Sequence, residues 1–157
     1  MWFFIIASRF RRSAFWNRAR GLLIGERMAT YAIAASPALK AYFVNLMWQP
    51  GETTDFRASD HVAAIHRHAK LPILDFCVVN TSPIRGKVLA RYQASEARPV
   101  EIDIENLQRM GLKVIAADLL RMSAIRAQDT IRHDRSVIGA IAFELAQEGY
   151  KRKLKRK

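Results

Sequence analysis

Within a short stretch the chain sets Asp60, His61, His66 and His68, and just upstream lie Glu52, Asp55, Phe56 and Arg57. Carboxylates and imidazoles this close suit a metal site, a proton-transfer site or a contact with a polar ligand. Two ligands from one helix serve a metal best at i and i+4. The three histidines are separated by five, two and seven, so no metal site is expected. His61 can still touch a ligand from the first turn of its helix. The preceding loop, within "NLMWQPGETTDFRASDHV", turns at Pro50 and Gly51, where backbone can approach a ligand or simply reverse direction. Glu52, Asp55 and Asp60 fit a cation or ribose hydroxyls, and equally two solvated acids and one first-turn helix residue. Phe56 is harder to explain, because a large ring beside Arg57 in a polar loop either anchors the loop or stacks on a flat ring such as a base.

A second constellation is "IRHD", which brings Arg132 and His133 to the start of the last helix. The planar guanidinium can hold a phosphate or a uracil-like edge, and a helix start favours anions. A surface pair of Arg132 with Asp129 or Asp134 is the equal alternative. The chain contains no G-x-S-x-G, no G-x-x-x-x-G-K-[ST] and no G-x-G-x-x-G, so no catalytic residue is assigned.

Alternating elements must position these residues. "ERMATYAIAAS" is Ala-rich and helical, stopped at Ser36 and Pro37, and "KAYFVNL" is an apolar run suited to a buried strand. "ASDHVAAIHRHAK" aligns Val62, Ile65 and Ala69 on one helical face, with Ser59 as its cap. Then follow the strand "ILDFCVVN", the helix "IRGKVLARYQASE", a short strand "PVEID", the short helix "IENLQRMG", the strand "KVIAADL" and the helix "RSVIGAIAFELAQEG", capped by Asp134. This alternation predicts an α/β fold with a parallel sheet under flanking helices. Ligands of such sheets bind outside the strand carboxyl ends, where Asn45 to Arg57 and the loop Asn80, Thr81, Ser82 fall.

The formal charge of +12 is unevenly spread. Residues 1–27 carry six Arg against Glu26, and the tail "YKRKLKRK" (150–157) carries six Lys and Arg with no acid, leaving +1 for residues 28–149. Specific nucleic-acid binding is therefore not expected of the folded centre, and a polyanion-binding tail is a third-ranked reading. The apolar run from Trp2 to Ala7 is too short to span a membrane, and its arginines follow rather than precede it as a signal peptide requires, so residues 1–27 read as a poorly ordered leader. The single Cys77, in an apolar run, excludes a disulfide framework and points to the cytoplasm.

"NLMWQPGET", "ASDHVAAIHRH", "ILDFCVVNTSPI", "RYQASEARPVEID", "RMGLKVIAADL" and "IRHD", in this order, resemble the C-terminal half of the bacterial gluconeogenesis factor family, from about Met28 to Leu145. That family shares a superfamily with the 2-phospho-L-lactate transferases of deazaflavin cofactor synthesis. The resemblance implies a Rossmann-like sheet, a UDP-sugar ligand, and a role in cell shape and cell-wall precursor supply on gluconeogenic carbon. It assigns uridine stacking to Phe56, where many relatives carry Tyr, and a supporting contact to Arg132. The candidate binding set is Asn45, Gln49, Gly51, Phe56, Asp60, His61, Asn80, Arg132 and His133, with no metal and no cofactor beyond the UDP-sugar; a homo-oligomer is possible. The Gly-rich strand and turn with which family members begin have no counterpart here, so the chain is expected to be half of the family domain. The alternative function is that of a 2-phospho-L-lactate transferase-like fragment.

Overall fold

A computed structural model of the chain describes residues 4–5, 32–120 and 130–155. Four parallel strands, β1 (Phe4–Ile5), β2 (Lys40–Phe43), β3 (Phe76–Asn80) and β4 (Lys113–Ala117), lie side by side in chain order. The register is set centrally by Tyr42 opposite Cys77 and Cys77 opposite Val114. Among the described residues the helices around them include α1 (Ala58–Ala69), α2 (Gly86–Gln93), α3 (Ile104–Arg109) and α4 (Arg135–Lys155). Alternate side chains of a strand point to opposite faces, which divides the core in two. Tyr42, Val44, Cys77 and Val79 pack with Ala58 and Val62 of α1 and Leu107 of α3, so α1 and α3 cover this face. Ala41, Phe43, Phe76 and Val78 meet Val88 of α2 and Ile141 and Leu145 of α4 on the other. The parallel α/β sheet with flanking helices is thus present.

Asp75 pins the amino end of the sheet. Its carboxylate accepts a hydrogen bond from the Lys40 amide at 2.7 Å, its amide donates to the Lys40 carbonyl at 2.8 Å, and its carbonyl accepts from the Lys113 amide at 3.0 Å.

Several local expectations need correction. Ser59 does not cap α1. The cap position is Arg57, whose amide donates to Asp60 Oδ2 at 2.8 Å, while the Ser59 amide and hydroxyl both donate to Asp103, 44 positions away. "PVEID" is not a sheet strand. Pro99 has no N–H to continue a ladder, and the segment makes only isolated bridges, Met47 with Pro99 and Arg57 with Glu101. It straps the loop after β2 instead: Trp48 donates to the Arg98 carbonyl at 2.8 Å, Val100 to Leu46 at 3.2 Å and Ala58 to Glu101 at 2.9 Å. The last helix does not end near Gly149 but runs through the basic residues to Lys155. Of the segment read as a leader, Phe4–Ile5 pairs with Lys40 and Ala41 and the remainder lies outside the described residues; so does most of the "ERMATYAIAAS" helix, of which 32–35 is helical.

Candidate functional site

The carboxyl ends of β2, β3 and β4 share one rim. Beyond β2, the Val44 amide still donates to the Val78 carbonyl at 2.9 Å, and Asn45 follows. Beyond β3, Asn80 folds the chain on itself. Its Oδ1 accepts from the Ser82 amide at 3.2 Å and from the Leu119 amide at 3.1 Å, and its Nδ2 donates to the Ser82 carbonyl at 2.6 Å. One side-chain amide therefore ties the ends of β3 and β4 together. Between these ends and the returning strap opens a cleft of about 210 Å³, lined by Asn45, Asn80 and Ser82 with Ile84, Val100 and Ile102 among its apolar walls. Among the described residues no charged one lines it. It lies where parallel α/β sheets bind ligands, and its lining suits an uncharged polar ring or sugar better than a phosphate.

The loop before α1 is built from two interlocked turns. Thr53 Oγ1 accepts from the Gln49 amide at 2.9 Å, Thr53 N donates back to the Gln49 carbonyl at 2.9 Å, and Thr54 Oγ1 accepts from Gly51 N at 3.0 Å. Gly51 has φ +76, a conformation that side chains with a Cβ rarely adopt, so its glycine is required by the turn. Phe56 leaves this loop half-buried and meets His61 edge to face, ring centroids 5.4 Å apart; Tyr42 lies beyond at 6.3 Å from His61. Phe56 is thus a local anchor with part of its ring still exposed. His61 is 5% exposed and its Nε2 has no hydrogen-bond partner. Burial pushes its proton affinity below the ordinary value, and the neighbouring Asp60 carboxylate only partly offsets this.

At the third position, Tyr92 Oη accepts from the Ile131 amide at 3.1 Å and Asp134 N donates to the Leu119 carbonyl at 2.8 Å, holding the "RH" pair between two anchors. Arg132 is exposed. His133 turns inward, its Nε2 3.0 Å from the Val44 carbonyl, one residue before Asn45. A carbonyl oxygen only accepts, so Nε2 carries the proton and Nδ1 is the acceptor. Burial lowers the His133 pKa and that hydrogen bond partly restores it.

The sequence-predicted residues therefore fall into separate groups. Asn45 and Asn80 share the cleft, with His133 bonded next to it; Phe56 and His61 share a ring contact; Gln49, Gly51 and Asp60 shape the loop and the start of α1; Arg132 faces solvent. Two acids escaped attention. Asp103 accepts from Ser59 and, at 2.7 Å, from Asn106 Nδ2, which joins α1 to α3; burial disfavours its charge, but these bonds outweigh burial and lower its pKa. Asp118, after β4, is held below its usual range by hydrogen bonds from the Ser82 side chain and the Leu120 amide. Their position at a strand end and at a helix start was the only signal available.

A parallel α/β sheet with flanking helices and a cleft at its carboxyl ends defines the class as a Rossmann-like fold. The family follows from comparison. Residues 22–120 match the family model described as 2-phospho-L-lactate transferase CofD, and the chain belongs to that family. It is 36% identical over 116 residues to the gluconeogenesis factor of Bacillus subtilis, covering 74% of this chain and 35% of that protein, and 42% identical over 106 residues to a putative gluconeogenesis factor of Thermotoga maritima, covering 66% and 32%. The crystal structure of a UPF0052 family member from Bacillus halodurans superposes with a TM-score of 0.66 at 34% identity, over 73% of this chain and 35% of that one. The chain thus spans about a third of the length of the relatives it matches.

Proposed function

We propose that this chain is a nucleotide-sugar-binding protein of the gluconeogenesis factor type, taking a UDP-sugar and acting in the cytoplasm as a regulator of cell-wall precursor supply and cell shape. The observation that carries this reading is the cleft at the strand carboxyl ends, whose described lining is uncharged, includes Asn45 and is fixed by Asn80. Phe56 and Arg132 supply the two functions such a ligand needs beyond the cleft: a partly exposed ring for the base and an exposed guanidinium for its edge or phosphates. The relatives named gluconeogenesis factor support the assignment to that type.

The test is a thermal-shift and calorimetric titration with UDP-N-acetylglucosamine. At a ligand concentration of 100 Kd the linkage stabilises by about 2.7 kcal/mol, which for a chain this long raises Tm by roughly 5–10 °C. Phe56→Ala and Arg132→Ala should each remove most of that rise. An unchanged Tm in the parent chain, or an equal rise in both variants, would sink the proposal. A transferase activity is the second reading, favoured by the description of the matching family; turnover of a phospholactyl donor with a divalent metal would establish it.

A further inference from the structure

Helix α4 is apolar on two opposite faces, and only one is used. Ile141 and Leu145 are buried in the core, with Val137 and Ile138 packed beside them. On the opposite side Phe143, Tyr150 and Leu154 are 64%, 52% and 55% exposed, a concentration of large exposed apolar side chains that no other described helix has. Their spacing of seven and four residues places them within about 40° of one another around the helix axis. Gly139 and Ala140, both exposed, extend the same side toward the amino end.

The charge beside this stripe is mixed at mid-helix, where Glu144 and Glu148 are exposed, and wholly basic beyond it. After Glu148 the sequence has no acid, and Lys151, Arg152, Lys153, Lys155, Arg156 and Lys157 follow. Arg152 turns back to the body of the protein, 2.9 Å from Glu148 and 5.8 Å from the centre of the Phe76 ring. Lys151 and Lys155 are exposed.

We infer that the outer face of α4 is a docking surface for an anionic phospholipid membrane. Apolar side chains on one stripe with cations beside it are what an interfacial helix needs: the rings and Leu154 enter the headgroup boundary while lysines meet lipid phosphates. Among the described residues no helix is long and apolar enough to cross a membrane, so α4 lies on the surface and does not span it. A second copy seated in parallel would bring the basic ends of both chains together, and the size-exclusion measurement below tests the antiparallel pairing. A nucleic acid satisfies the lysines and leaves Phe143 and Leu154 without a role.

Flotation of the full chain with phosphatidylcholine vesicles, with and without phosphatidylglycerol, tests this. Binding is expected only with the anionic lipid. The pair Phe143→Ser and Leu154→Ser and the pair Lys151→Gln and Lys155→Gln should each weaken it roughly tenfold or more. Circular dichroism should show both variants folded, since neither pair contributes to the core. Absence of flotation, or flotation unaffected by the Phe143 and Leu154 changes, overturns the inference. So does either of two other results: RNA binding that those changes leave intact, or a dimer on size exclusion that they dissociate without any vesicle binding.

Discussion

His61 shows how much one residue's role depends on what surrounds it. As a letter in "ASDHV" it reads as a first-turn ligand residue; folded, it is enclosed by Phe56 and Tyr42 with Nε2 unpartnered. Burial of this ring, of His66 and of His133 lowers each below the ordinary value of 6.5. The sign of the consequence is fixed by linkage. Near pH 6.5 the unfolded chain binds more protons than the folded one, so stability is complete above that value and falls as the pH drops through it. Urea denaturation between pH 7.5 and 5.5, values chosen to bracket the ordinary histidine pKa of about 6.5, should show a falling midpoint, and His61→Leu should flatten the slope. A midpoint independent of pH would mean that the buried rings are charged or solvated. Phe56 was legible as an oddity because a ring in a polar loop has few explanations. Ser59 was misread because spacing alone cannot distinguish a cap from a side chain recruited by a partner 44 positions away.

At the scale of elements, apolar periodicity located the four named helices and, among the described strands, β2, β3 and β4, because the residues that alternate in "KAYFV" and "FCVVN" are those that fill the two faces of the core. "PVEID" failed for the complementary reason. Its composition permits extended backbone, but whether an extended segment joins a sheet depends on available partners, and here the partners are loop residues Leu46 to Trp48. Two tests belong at this scale. Asp134 Oδ1 accepts from the Ser136 amide at 2.8 Å, the expected cap of α4, and Asp134→Ala should cost about 1 kcal/mol in chemical denaturation. Asp103→Ala should cost more, about 1–3 kcal/mol, because it strands Ser59 and Asn106 and unlinks α1 from α3. Since the hydrogen-bonded Asp103 has a lowered pKa, its contribution is complete above its ordinary value of 3.8 and disappears as the pH falls through the folded value. An Asp103→Ala variant as stable as the parent chain would leave the α1–α3 link without an energetic role.

For the molecule as a whole, the sequence located the charge at the ends, but not that the basic end continues a helix packed on the core. That continuity makes the two functional ideas separable. The core residues of α4, Ile141 and Leu145, precede Tyr150, so a chain lacking residues 150–157 keeps the helix seated and loses six of its positive charges. Its direct losses are the Arg152 contacts with Glu148 and with the Phe76 ring, a solvent-screened ion pair and one cation-ring contact. The described lining of the cleft between β2, β3 and the strap comes from residues 45–102 and is untouched. The truncated chain should therefore unfold a few degrees lower, keep its full Tm rise with UDP-N-acetylglucosamine, and no longer float with anionic vesicles. If truncation abolished the nucleotide-sugar response as well, the basic helix end would have to contribute to ligand binding, and the uncharged cleft would not be the main site.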